Sequence, residues 1–355
     1  MTSARHAHVI GLGLIGASVA LALRAAGWTV TGEDLDAEVA REALAADVVL
    51  GVEPSATTEL VVVATPAGAV APVAAGVLGR MSSPELIVTD VAGVKEAIAQ
   101  EMRDPRFLGG HPMAGSELRG LKGARADLFQ GCTWVLTPTA STPVDVYTRL
   151  HGVLREIGAN VVAISAGDHD RLVALASHVP HLLAGALMNQ AAEAAREDAV
   201  LLQLAAGGFR DMTRIAAGDP AIWPDVLFEN RDAVCASLDA LQERLEGLRV
   251  ALANRDRDVL ERSLSSASTA RRQLPGRALN SDHLAYLRVL ISDQPGSLAR
   301  VTTTASDLLV NIYDIEIAHA VEGNQGALLL AVDVDQAERF MHALRDADFG
   351  VVRER

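Results

Sequence analysis

At 355 residues the chain is long enough for two or three domains with sizeable cores, and half of its residues are apolar. The formal net charge of −14 argues against a general nucleic-acid binder, whose phosphate contacts need a basic surface, but leaves room for small anions held by local arginines. The two cysteines, Cys132 and Cys235, lie far apart without metal-ligand spacing, which points to a reduced protein without structural disulfides.

No uninterrupted apolar run approaches the about 18 residues that span a bilayer, and Met1 to His6 lack the apolar core of a signal peptide, so a cytoplasmic protein is expected. Lysine is nearly absent, with only Lys95 and Lys122 present.

The first strand is predicted at 7–10 and runs into Gly11-Leu12-Gly13-Leu14-Ile15-Gly16. A helix over 17–26 stops at Gly27, and a second strand over 28–32 ends at Glu33-Asp34. A GxGxxG motif between strand and helix, with an acid 18 residues past Gly16, is the dinucleotide-binding pattern. Gly11 allows the tight turn, Gly13 lets a pyrophosphate reach the backbone, and Gly16 lets helix and strand pack closely, while the helix N-terminus offers its free N–H groups to the phosphates. Asp34 is expected on the adenosine ribose hydroxyls. Two adjacent carboxylates with no arginine immediately beside them would repel a 2′-phosphate, so NAD is favoured over NADP.

The strand–helix rhythm continues. The run at 60–64 reads as a buried parallel strand ending at Thr65-Pro66. A helix over 67–79 follows, then a strand over 85–90 that breaks at Val91-Ala92-Gly93-Val94-Lys95, and a helix from Lys95. Next come Arg106-Phe107-Leu108-Gly109-Gly110-His111-Pro112, a polar loop, a strand at 133–137, a helix near 144–157 and a strand at 159–164. In open α/β sheets ligands sit beyond the carboxyl ends of the strands, which is where Thr65, Pro66, residues 90–95 and His111 fall. Pro112 biases His111 toward an extended backbone, so the imidazole leaves the strand in a fixed direction, where it can accept a proton near neutral pH.

From Gly167 the pattern turns helical, with Asp168-His169-Asp170 reading as a cap. Pro180, inside Ser177-His178-Val179-Pro180-His181, predicts a kink or a fresh start. His178 and His181 share a helical face, but no nearby carboxylate or cysteine completes a metal set, and no metal is expected. A turn-rich break, Gly207-Gly208-Phe209-Arg210-Asp211-Met212-Thr213-Arg214 with Asp219 to Trp223, precedes Leu/Ala-rich helices over 223–273 suited to packing or dimerisation. Residues 284–355 read strand, helix, strand, strand, helix, strand, the ferredoxin-like βαββαβ pattern. The expected architecture is therefore an α/β Rossmann-type NAD-binding domain (1–165), an all-α domain suited to packing or dimerisation (166–274), a linker (275–283) and a small α+β domain (284–355).

The joint order of Gly11 to Gly16, Thr89-Asp90…Lys95, Gly110 to Glu117, Ser177 to His181 and Gly207 to Arg214 resembles the prephenate dehydrogenase family over nearly the whole chain, and the tail resembles an ACT domain. The resemblance implies oxidative decarboxylation of prephenate to 4-hydroxyphenylpyruvate with NAD, in tyrosine biosynthesis. It implies that His111 accepts the hydrogen bond of the ring 4-hydroxyl, that Arg214 clamps a substrate carboxylate and that His181 orients the substrate's side chain. Glu117 and Asp211 would be the acidic partners of a gate near Arg214, Gly207 would lie beside the substrate, and Trp223 would be a wall contributed across a homodimer. The cofactor would be held by the loop Gly11, Leu12, Gly13, Leu14, Ile15, Gly16, by Asp34, and by Thr65, Pro66 and Gly93. Gly93 stands where the family usually has a serine next to the catalytic histidine. In the tail, Asp293, Pro295, Gly296 and Asn311 match the loop and strand where ACT modules hold amino acids, here L-tyrosine, with an extra dimerisation module as the alternative.

Arogenate dehydrogenase, with the same architecture and an amine in place of the side-chain keto group, remains the nearest rival. A β-hydroxyacid dehydrogenase relies on a lysine in its helical domain, and no lysine follows Lys122. A non-catalytic NAD or amino-acid sensor would need neither His111 nor Arg214.

Overall fold

The computed structural model describes residues 5–353 apart from 84, 115–117, 119, 197, 199, 219, 221, 222, 274–283, 293, 295 and 320–324. The chain divides into two compact units, Met1–Leu245 and Glu246–Arg355.

In the first unit seven strands form one sheet: β1 (His6–Ile10), β2 (Thr29–Glu33), β3 (Thr58–Val63), β4 (Ile87–Asp90), β5 (Phe107–Pro112), β6 (Thr133–Thr137) and β7 (Asn160–Ala163), in the order β2-β1-β3-β4-β5-β6-β7. The β1–β5 segment is parallel throughout, with Val63 level with Asp90. Its strands are apolar on both faces because both faces are covered. Along β3, Leu60 and Val62 pack with Leu23 and Leu150 on one side. Val61 and Val63 pack with Val70 and Leu78 on the other.

The β6 strand runs antiparallel to β5, a departure from the uniform strand–helix alternation expected from sequence. Among the described residues of the connection between them, only the short helix Gly120–Gly123 forms. A parallel return needs a covering crossover of a dozen or more residues, usually a full helix, whereas an antiparallel one does not. The longer helix Val144–Glu156 then carries the chain to β7, which is again parallel to β6.

The helical part of this unit begins at Ser165, whose side chain accepts from Asp168 N and closes the first turn of helix Ala166–Val173. Asp168-His169-Asp170 is therefore not the cap. Ser165 is, and His169 and Asp170 lie inside the helix, buried. The helix continues through a π-helical turn, Ala174–His178, into Val179–Ala194, so Pro180 falls where the π-turn meets the α-helix within one continuous run. The whole run, 166–194, is long and apolar enough to cross a membrane by length and composition. Here it holds His169, Asp170 and His178 buried among hydrogen-bond partners of the same unit. Short segments Gly207–Thr213, Arg214–Ala217 and Trp223–Glu229 follow, and Asn230 separates the last of them from helix Arg231–Ala253.

The second unit contains helix Arg257–Gln273 and a four-stranded antiparallel sheet ordered β11-β8-β10-β9: β8 (Leu284–Ser292), β9 (Ile312–His319), β10 (Gln325–Asp333) and β11 (Gly350–Arg353). Alternate residues of β8 and β10, among them Leu287, Val289, Leu328 and Leu330, pack against helices Ser297–Asp307 and Val334–Asp346.

Candidate active site

The glycine loop is shaped by contacts that exclude a side chain. A Cβ on Gly11, which has φ +93°, would lie 2.4 Å from the Ala64 carbonyl oxygen, and one on Gly16 would lie 1.9 Å from the Gly11 oxygen. Gly16 is buried in helix Leu14–Ala25, so the helix start is pressed against the β1 turn. The helix is N-capped by Gly13 with no side-chain hydrogen bond, and around Gly13 the space is open. The first-turn N–H groups, including those of Leu14, Ile15 and Gly16, are thus available to an anion, as a pyrophosphate requires. Leu12 differs from its neighbours: its side chain lies wholly in the core, so only its backbone borders the loop.

Asp34, just past the end of β2, accepts from Leu12 N at 2.7 Å and from Asp36 N at 2.9 Å, which fixes its carboxylate against the glycine loop. Thr65 follows β3, and its hydroxyl is buried without a partner, a polar group whose position suits a ligand at the strand ends. Pro66 caps the next helix, Ala67–Arg80. Loop, helix start, acid and orphaned hydroxyl together fit a bound dinucleotide.

His111 emerges from β5, two strands along from β3. Glycine precedes it because a Cβ on Gly110 would meet the Asp90 carbonyl oxygen at 2.8 Å and Trp134 Nε1 at 2.9 Å. The Nδ1 atom of His111 lies 2.8 Å from His169 Nε2, and His169 Nδ1 lies 2.6 Å from Asp170 Oδ1. Asp170 also accepts from the backbone N–H groups of Lys95 and Glu96, both at 2.8 Å. On the other side of the ring, a Cβ at Gly93 would lie 3.8 Å from His111 Nε2.

Beneath this group Lys95 and Asp90 form an ion pair at 1% and 0% exposure. Asp90 further accepts from Gly110 N and Ala92 N. Burial holds His111 well below the ordinary imidazole value, and the Lys95 charge, His169 and His178 push in the same direction. At neutral pH it is an uncharged acceptor. Burial likewise lowers His178 and His181, and it outweighs Glu33 at His8.

The ordinary value for histidine is about 6.5, so the unfolded chain binds more protons than the folded one as the pH falls below that point. Stability is therefore complete above about pH 6.5 and is lost as the pH drops toward the lowered folded values. The thermal midpoint should fall between about pH 7.5 and about pH 5.5, and His111→Asn should make that fall shallower. A midpoint flat over the range would refute this.

The other expected residues sit on neighbouring elements. His181 stacks on Trp223 of the same chain, with ring centroids 3.7 Å apart and planes 15° apart. His178 approaches the same indole edge-on at 6.2 Å, and its Nδ1 lies 3.1 Å from Asn230 Nδ2. Gly207 opens helix Gly207–Thr213, Asp211 is exposed on it, and the exposed Arg214 begins the turn Arg214–Ala217, which packs against the helix carrying His181. Glu117, Asp293 and Pro295 lie outside the described residues. Gly296 has φ +96° and precedes helix Ser297–Asp307, and Asn311 is exposed just before β9.

Sequence reasoning placed residues 90–95 at the strand ends but gave Asp90 and Lys95 no role, and it missed His169, Asp170 and Asn230 as members of the site. The Ser165-x-x-Asp168 spacing was the available signal for two of them, since it sets the helix start early enough to turn His169 and Asp170 inward.

Two family models match consecutive stretches: the nucleotide-binding domain of prephenate dehydrogenase over 19–163 and its dimerization domain over 165–266. The prephenate dehydrogenase of Bacillus subtilis is 31% identical over 341 residues, covering 92% of this chain and 91% of its own. Among solved structures, Aquifex aeolicus prephenate dehydrogenase in complex with hydroxyphenyl propionate and NAD⁺ aligns at TM-score 0.71 and 26% identity, over 77% of this chain and 99% of its own. Arogenate dehydrogenase of Synechocystis aligns at TM-score 0.66 and 31% identity, over 76% of this chain and all of its own (100%).

Proposed function

The chain belongs to the prephenate dehydrogenase family, and we infer that it is the NAD-dependent enzyme that converts prephenate to 4-hydroxyphenylpyruvate and CO₂, the bound NAD⁺ accepting a hydride. The observation that supports the residue assignment is the uncharged His111, tied through Nδ1 to His169 and presenting Nε2 toward Gly93 beside the strand ends of the glycine-loop sheet.

In this reading the loop Gly11, Leu12, Gly13, Leu14, Ile15 and Gly16 borders the pyrophosphate, with the first-turn N–H groups of Leu14, Ile15 and Gly16 as donors, while Leu12 N stays on Asp34. Asp34 meets the ribose, and Thr65, Pro66 and Gly93 border the nicotinamide end. His111 Nε2 accepts the proton of the ring 4-hydroxyl as hydride leaves that carbon. The bond to the ring carboxylate breaks, CO₂ departs, and its electron pair completes the aromatic ring. The proton then returns from Nε2 to the phenolic oxygen, so charge and atoms balance. Base assistance of this kind contributes on the order of 10²–10⁴-fold.

Arg214 clamps a substrate carboxylate through its guanidinium fork, and His181, braced by Trp223, orients the side chain. Asp211 and Glu117 serve as acidic partners of the gate, with Gly207 alongside. A homodimer through the helical region is the natural assembly. The similarity to an arogenate dehydrogenase supports a second reading with arogenate as substrate. NADH formation with prephenate and with arogenate in parallel tests both, and absence of NADH with either removes the assignment.

We further read 1–165, 166–274, 275–283 and 284–355 as cofactor domain, substrate and dimerisation domain, linker and ACT-like domain of a cytoplasmic enzyme. The βαββαβ order of the tail supports a ferredoxin-like, ACT-like fold. Gly296 and Asn311, with Asp293 and Pro295, are its candidate L-tyrosine site. Calorimetric titration showing no tyrosine binding at millimolar concentration would remove it.

Gly93 gives a sharper test. With its Cβ position 3.8 Å from His111 Nε2, a serine there places a hydroxyl within reach of the acceptor nitrogen. One hydrogen bond contributes about 0.5–1.5 kcal/mol, so Gly93→Ser should change kcat or KM by about two- to tenfold. Identical kinetics for the two proteins would make the position irrelevant.

A further inference from the structure

We propose that Asp170 is a positioning residue that, acting through His169, locks His111 in the tautomer whose Nε2 is bare. The inference rests on the reading of His111 as the acceptor of the substrate's hydroxyl proton, and it follows from counting donors along a chain of three side chains.

The chain starts at Asp170. Its Oδ2 accepts from Glu96 N and its Oδ1 from Lys95 N, each at 2.8 Å. Two backbone donors on the two oxygens leave the carboxylate as an acceptor only. The His169 ring nitrogen 2.6 Å from Oδ1 must therefore be Nδ1–H. With this one ring proton only, as proposed, His169 keeps a lone pair on Nε2, so that the atom 2.8 Å away, His111 Nδ1, carries the proton between them. His111 Nε2 is left as the free acceptor. Both intermediate groups are buried, Asp170 at 3% and His169 at 0% exposure, so water does not scramble the sequence of donors.

Asn230 braces the arrangement. The backbone oxygen of Asp170 can only accept, so the Asn230 atom 2.9 Å from it is Nδ2, and the same nitrogen donates to His178 Nδ1 at 3.1 Å. His178 is thereby set in the opposite tautomer, with Nε2 protonated. Adjacent imidazoles are thus fixed in opposite senses, one as proton acceptor and one as donor.

Among the described residues, the charged and titratable groups around His111 are Lys95 and Asp90 from the β4 end, and His169, Asp170 and His178 from the 166–194 run. When His111 takes the substrate proton, its Nδ1–H still donates to His169, and the Asp170 charge lies two bonds of the relay away. Asp170 thus favours the protonated base, whereas Lys95 opposes it. In a well-studied hydrolase triad, replacing the orienting aspartate by asparagine costs about 10⁴ in kcat because the wrong tautomer forms, which bounds the effect here.

The test uses full-length, NAD⁺-loaded protein labelled with ¹⁵N-histidine, with the His111 signals assigned by their loss in His111→Asn. At pH 7 the wild type should show His111 protonated at Nδ1 and bare at Nε2. In Asp170→Asn, a population with His111 protonated at Nε2 should appear. In that variant kcat should drop between about 10-fold and about 10⁴-fold with KM little changed, and the acid limb of kcat/KM should move to lower pH because the protonated base loses a negative neighbour. His169→Gln, whose amide oxygen can still accept from Nδ1–H, should keep the wild-type tautomer and retain more activity than His169→Leu. A wild-type His111 protonated at Nε2 would overturn the proposal, and so would an Asp170→Asn protein with unmoved tautomer and acid limb. The wild-type spectrum needs no substrate, so its outcome is independent of whether prephenate is turned over.

Discussion

His111→Asn lowers kcat by about 10²–10⁴-fold, the span that a positioned base contributes, while the affinity for NADH stays close to that of the natural chain. The two halves of this expectation have separate physical origins. The proposed cofactor site is the glycine loop, the start of helix Leu14–Ala25 and Asp34, at the ends of β1 and β2 rather than on β5, which carries residue 111. Asparagine is smaller than histidine and keeps a polar group near His169, so the buried partner is not stranded. What disappears is a neutral nitrogen able to take a proton and return it, because an amide does neither near neutral pH. Rates of NADH formation at saturating prephenate, with fluorescence titration of NADH binding alongside, separate the terms. A kcat within twofold of wild type would remove His111 from the chemistry. Lost cofactor binding with it would mean that the substitution had damaged the fold instead.

The cofactor half of the molecule was readable from residues 7–34 because each of its constraints is local. Gly11 and Gly16 are needed by contacts no more than one strand or one turn away, and Asp34 follows its strand directly. His111 was readable for a similar reason, standing between two glycines and a proline at a strand end. The groups that tune it were not. A lysine at the start of a helix reads as solvated, and only the packing of β4, β5 and the 166–194 run shows that Lys95 has no access to water. Asp168-His169-Asp170 resembles an N-terminal cap in isolation, and the distinction between cap and interior depends on the Ser165 hydroxyl. The antiparallel β6 strand escaped for another reason, since apolar runs carry no direction. The polar, loop-like character of the 113–132 connection was the hint available. Local rules thus reach the binding loop, whereas the acidity of the base depends on partners up to 75 residues away, such as Asp170 on Lys95 N.

Lys95→Met isolates the largest of those distant effects, and it should act on stability and on the pH profile together. Lys95 and Asp90 are both essentially without solvent contact, and Asp90 holds Gly110 N and Ala92 N besides the ammonium. Removing one member of a buried pair leaves the other charge uncompensated, which costs about 3–5 kcal/mol. The denaturation midpoint of the N-terminal unit should fall accordingly. Asp90→Asn on top of Lys95→Met should recover part of the loss, because the buried charge goes while the amide oxygen still accepts one backbone N–H. Catalysis should change in the sense opposite to Asp170→Asn. The Lys95 ammonium makes protonation of His111 harder, so without it the imidazole holds a proton at higher pH. The acid limb of kcat/KM then moves up, and activity at about pH 6 falls further than activity at about pH 8. A destabilised protein with an unmoved limb would leave Lys95 a structural role only. Movement of the limb to lower pH would mean that the desolvation of His111, and not the ammonium, was what Lys95 controlled. The chain contains only two lysines and buries one of them beneath its proposed base. That placement sets a positive charge, balanced by Asp90, where it opposes protonation of the imidazole.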